Sequence, residues 1–131
     1  MTHLLSLVVY MAAITWLLLL AASLIRAKGW TLDGMKVAMG NRENLPGVTP
    51  LSGRADRTAK NTLESFVLFA ALALVAHASG VQSPRILLGA ELFFWSRLVF
   101  VAVYYAGIPY LRTGVWTVGF AGLAMMASAL V

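Results

Sequence analysis

Four stretches of apolar side chains, at about residues 4–25, 60–79, 86–105 and 113–131, take up most of this 131-residue chain and leave it one kind of fold. A bilayer core is about 30 Å thick and a helix rises about 1.5 Å per residue, so a span needs roughly 20 residues. The first run reaches that length with only Ser6, Thr15 and Ser23 as polar interruptions. A secretory leader would place Lys or Arg ahead of a shorter core, and residues 1–3 hold neither. The expectation is an all-α integral membrane protein, a single domain over residues 1–131 folded as a four-transmembrane-helix bundle. Composition agrees, since 60% of residues are hydrophobic, 11% are charged and the mean hydropathy is +0.82, outside the range of soluble domains. Too little chain remains for a soluble catalytic domain. With no cysteine, a disulfide framework, a thiolate zinc site and a protein dithiol relay are excluded, so sulfur chemistry has to use sulfur brought by a substrate.

The second run is the instructive one. Between Glu64 and Gly80 there are too few residues to cross, so the helix has to begin earlier, at Lys60 or before. Thr49-Pro50 supplies a cap and a first-turn proline for a helix that projects out of the bilayer before entering it. The stretch 40–53, with its glycines and prolines, reads as irregular loop ahead of it. The loop between the first two spans carries Arg26, Lys28, Lys36, Arg42, Arg54, Arg57 and Lys60, against a single Arg in the next loop. The positive-inside rule therefore puts the first loop in the cytoplasm and both termini outside. This asymmetry accounts for the net charge of +5 without nucleic acid as a partner.

Chemistry has to lie where polar groups converge. At about 100° per residue, Arg54, Arg57, Asn61 and Glu64 fall at about 0°, 300°, 340° and 280°, one polar stripe on the second span's helix. Asp56 is placed to pair with Lys60, four residues on. Glu64 should meet a cation or polar ligand, and Arg97 poses the same problem in mid-span, where insertion costs roughly 2.5–3.5 kcal/mol. By depth, Glu64 is the expected partner of Arg97. Tyr104 lies seven residues after Arg97, on the same face, and Arg112 follows at the entrance to the fourth span. Arg26 is available at the end of the first. The expectation is a cytoplasm-facing pocket lined by Arg, Asn, Glu and Tyr, suited to a small peptide-like anion. Trp30, Tyr105 and Trp116 suit an interfacial aromatic belt. His3 and His77 have no partner at metal-ligand spacing, so no metal is expected.

These residues resemble the MAPEG proteins, membrane-associated proteins in eicosanoid and glutathione metabolism, over nearly the whole chain. The second-helix signature reads R54-A-D-R57-T-A-K60-N61-T-L-E64, preceded by a "GNRENLP" stretch similar to bacterial members. Arg97 with Tyr104, and Arg112 with Thr113, match two further patterns. The resemblance implies a homotrimer in the bacterial inner membrane that uses glutathione as co-substrate and a lipophilic small molecule as second substrate. It implies Arg112 and Tyr104 as catalytic residues, with Arg112 stabilising the thiolate. It implies Arg26, Arg54, Arg57, Lys60, Asn61, Glu64, Arg97 and Thr113 as glutathione-binding residues. Ala59, where some prostaglandin-forming members have His, and the shorter Tyr104–Arg112 spacing direct the expectation to glutathione transfer or peroxide reduction rather than isomerisation.

Two other classes fit the same spans. A non-catalytic membrane scaffold or lipid-binding homologue would keep the fold without the chemistry. A small proton-coupled transporter would also have four spans, but usually carries its acid in the first, which here has no charge.

Overall fold

The computed structural model describes residues 1–131 as five helices and no strand. They are α1 (His3–Ala27), α2 (Leu32–Met39), α3 (Pro50–Ser79), α4 (Pro84–Ala106) and α5 (Pro109–Leu130). All but α2 are long and apolar enough to cross a membrane.

Local chemistry sets the ends. Thr49 accepts from the Ser52 amide while the Ser52 hydroxyl accepts from the Thr49 amide, a capping box with Pro50 opening α3. The irregular stretch expected over 40–53 is therefore shorter, and residues 50–53 are helical. At 30 residues, α3 extends about 45 Å, beyond a hydrocarbon core of about 30 Å, so its basic first turns stand at or outside the boundary. Gly107, at φ 78°, caps α4 in the left-handed region, and only Gly107 and Ile108 separate α4 from α5.

The elements pack as two helix pairs, α1 with α3 and α4 with α5, joined mainly through α3 and α4. Membrane helices associate through close backbone approach, because lipid is as apolar as their side chains. Between α4 and α5 this occurs at Gly89 and Gly122: a Cβ on Gly122 would stand 2.6 Å from the Gly89 carbonyl oxygen and 2.9 Å from the Phe93 nitrogen. The main core holds Leu7, Met11, Phe69, Phe93, Leu123 and Met126, with the Phe69 and Phe93 rings stacked at 4.8 Å. A smaller cluster of Leu18, Ala22, Ala55 and Ala59 joins α1 to α3 toward their basic ends. Those alanines let α3 lie close to α1, while Arg54, Arg57, Asn61 and Ser65 of α3 bond to α4.

Candidate functional site

Tyr104 is the centre of the polar convergence. Its hydroxyl accepts a hydrogen bond from Arg57 Nε at 3.0 Å, and its ring centroid lies 4.6 Å from the Arg112 guanidinium carbon. On its inner side it meets Phe100 edge-on, centroids 5.4 Å apart. The geometry follows from the chain. Tyr104 stands three residues before the Gly107 turn and Arg112 five after it, so the two-residue connection folds α5's first turns back over α4's last. A cation over an aromatic face is attracted by the ring quadrupole, which holds Arg112 in place without an acid.

Arg97 lies two turns deeper and is 2% exposed. It donates to Asn61 Oδ1 and to Ser65 Oγ, each at 2.8 Å, and its guanidinium carbon sits 4.3 Å from the Phe100 ring centroid and 5.6 Å from that of Phe93. The expected pairing with Glu64 is not made: Glu64 is exposed, and Asn61 and Ser65 hold Arg97 instead. Depth alone favoured Glu64, but Ser65 occupies the inward face of α3, about 100° around the helix from it. Because Asn61 accepts from Arg97 through its oxygen, its amide NH2 is the part left to donate to a ligand.

Arg54 donates from Nε to the Tyr105 carbonyl at 3.2 Å, satisfying an acceptor at the C-terminal end of α4 and bracing the Gly107 turn. Lys60 pairs with Asp56 at 3.2 Å, as the spacing suggested, with the lysine side chain mostly in the open. Arg26 bonds to the Pro46 carbonyl, and the Thr113 hydroxyl reaches only the Pro109 carbonyl in its own helix, at 3.5 Å. Of the residues singled out from sequence, one chain thus gathers Arg57, Asn61, Arg97, Tyr104 and Arg112, with Arg54 at the rim. Arg26, Lys60, Glu64 and Thr113 make no side-chain hydrogen bond or ion pair with that cluster. Ser65 and Phe100 belong to it and went unread, although each carried a signal. Ser65 lies four residues after Asn61 and Phe100 three after Arg97, both on the facing side of their helices.

The remaining membrane acid, Glu91, lies away from this site. It is bound by His3 from α1 and by Trp95 Nε1, the latter at 2.8 Å. No group of three or more His, Asp or Glu side chains is placed to hold a metal. The carboxylates paired with a basic side chain are Glu91, bound by His3, and Asp56, paired with Lys60, so the arginines around Tyr104 have no carboxylate to neutralise them. Such a field attracts an anion and favours the ionised form of an acid placed within it.

A family model described as MAPEG family matches residues 3–131 of the chain. No curated protein and no solved structure matches it.

Proposed function

Because the chain belongs to the MAPEG family, whose members include glutathione-dependent transferases and peroxidases as well as non-catalytic proteins, we propose that it binds glutathione beside Tyr104 and promotes its reaction with lipophilic electrophiles or hydroperoxides. The observation that carries this reading is the set of unneutralised arginines around that tyrosine, with Arg57 on one side and Arg112 on the other.

Arg112 is the cation beside the sulfur. A free thiol titrates near about 8.5, and an adjacent positive charge shifts it toward the thiolate at neutral pH. Tyr104 keeps that guanidinium in position from below. Arg57 and Lys60 hold substrate carboxylates, Asn61 donates its amide NH2 to a peptide carbonyl, and Glu64 receives the amine. Arg97 fixes the orientation of Asn61. The thiolate supplies the nucleophile, forming a C–S bond as a leaving group departs, or taking the distal oxygen of a hydroperoxide as the O–O bond breaks. With the hydroperoxide, the alkoxide leaves and is protonated to the alcohol, the sulfur becomes a sulfenic acid, and a second glutathione thiol then attacks that sulfur, expelling water and giving the disulfide. The second substrate enters laterally from the acyl chains.

The chain works as a homotrimer in this reading. Lys60 and Glu64 are exposed on α3 and bond to no residue of the cluster, which supports a ligand shared with a neighbouring subunit; oligomer mass in detergent tests this. The basic ends of α1 and α3 face the cytoplasm, in an inner membrane, by the charge asymmetry of the loops.

The difference ultraviolet absorbance of the thiolate in purified protein is the direct test, and the chain adds no thiolate of its own because it has no cysteine. Glutathione should give a thiolate band in the wild type that Arg112→Ala abolishes. No band, or one indifferent to that substitution, would remove the catalytic assignment and leave a non-catalytic membrane homologue.

A further inference from the structure

Of the five helices, α2 alone is too short to cross a membrane, yet it exposes large apolar side chains. Leu32 is 74% exposed and Met39 81%, with Met35 between them and Trp30 just ahead also in the open. At about 100° per residue, Leu32, Met35 and Met39 lie within a sector of about 60°, with exposed Lys36 about 40° to its side. Gly34 lies roughly opposite on the same helical wheel and is buried. A Cβ there would run into the carbonyl oxygens of Ala27 and Lys28, so this face of α2 is pressed onto the end of α1.

The level of α2 along the bundle is also set. Arg42, just beyond its C-terminus, donates to the Ala38 carbonyl at 3.2 Å and to the Ser23 carbonyl at 2.9 Å. Ser23 stands four residues, about 6 Å, before the end of α1. The far end of α2 is therefore drawn back beside the last turn of a membrane-length helix, and its apolar stripe faces away from the bundle at that level.

We propose that α2 is an interfacial membrane helix. Leu32, Met35 and Met39, led by Trp30, lie in the boundary between headgroups and acyl chains, and Lys28 and Lys36 meet the phosphates of anionic phospholipids. An apolar stripe flanked by lysines, on a short helix fixed where a span ends, has the amphipathic character that favours this boundary, and tryptophan adds to it. Anionic lipid matches the lysines, neither of which pairs with an acid in the chain.

The absence of cysteine makes single-site labelling direct. Spin labels placed through Leu32→Cys, Met35→Cys, Met39→Cys and Asp33→Cys are compared in the full chain, reconstituted in phosphatidylcholine vesicles with and without phosphatidylglycerol. The three stripe positions should collide more with oxygen, which concentrates in lipid, than with a water-soluble nickel complex. Asp33, about 100° round the helix from Leu32, should show the reverse. With phosphatidylglycerol present the stripe labels should move deeper. Preference for nickel at all four positions would overturn the proposal, as would stripe labels closed to both reagents, which would mean that a second subunit covers the face. Equal depth in both vesicles would overturn the role given to the lysines.

Discussion

Replacing Asn61 by Leu is expected to destabilise the bundle by about 2 kcal/mol, and replacing Arg97 by Met in the same chain should recover most of that loss. Arg97 is almost wholly buried and has two side-chain acceptors, Asn61 Oδ1 and Ser65 Oγ, with aromatic rings on its remaining sides. A hydrogen bond to a charged group contributes about 1.5–3 kcal/mol, whereas polar contacts between membrane helices average only about 0.6 kcal/mol. The larger figure applies here because the guanidinium has no carboxylate and cannot rotate toward water from inside the bundle. Ser65 keeps a bond to the Asn61 backbone carbonyl at 2.9 Å whether or not Arg97 is present, so removing the arginine leaves little unsatisfied. Asn61 is only partly buried and keeps access to the site. The coupling between positions 61 and 97 should therefore be about 2 kcal/mol, roughly a 30-fold change in the folding equilibrium. Reversible unfolding of detergent-solubilised protein by sodium dodecyl sulfate, followed by circular dichroism for wild type, both single variants and the double, measures it. Additive effects, with coupling below about 0.5 kcal/mol, would refute the claim that Asn61 holds this charge.

Tyr104→Phe keeps the ring that faces Arg112 and Phe100 but removes the acceptor of Arg57; calorimetric titration should show glutathione binding weakened by roughly 2- to 10-fold, the equivalent of one ordinary hydrogen bond. The thiolate band, assigned in the proposed function to Arg112, should persist in that variant. Gly122→Val should lower the thermal midpoint in detergent, because overpacking at the Gly89 crossing costs about 1–3 kcal/mol, while Gly114→Ala, where nothing lies within 4 Å, should be neutral or stabilising. Thr49→Ala removes the α3 cap, worth about 1 kcal/mol, and should speed hydrogen exchange at the first amides of α3 without altering those near Phe69.

The four long helices were legible because their apolar runs match the thickness of a bilayer, and α3's start was legible because Thr49 and Pro50 are local signals. The Asp56–Lys60 pair and the shared face of Arg97 and Tyr104 needed only helical periodicity. Partners across helices were not legible. Spacing within α3 placed Asn61 and Glu64 on one stripe, but only packing against α1 decides that the stripe lies at an edge, where Asn61 turns inward to Arg97 and Glu64 stays outside. The rotation of α3 is set by Ala55 and Ala59 against Leu18 and Ala22, contacts far apart in sequence. His3 and Glu91 meet across 88 positions, with nothing local to announce it. The helix α2 was missed because eight residues give too little periodicity, although Thr31 is a serviceable cap.

The division of the bundle into two pairs has a mechanical consequence. Tyr104 and Arg112 ride together on the α4–α5 hairpin, tied by a two-residue turn, whereas Arg57 rides on α3. If the pairs slide, the separation of Arg57 from Tyr104 changes while Arg112 keeps its place over the ring. The site is thus a pair of jaws with one fixed tooth. Widening it breaks the Arg57 latch first and works against the other bonds between the pairs, Arg54 to the Tyr105 carbonyl and Arg97 to Asn61 and Ser65, while every helix stays whole.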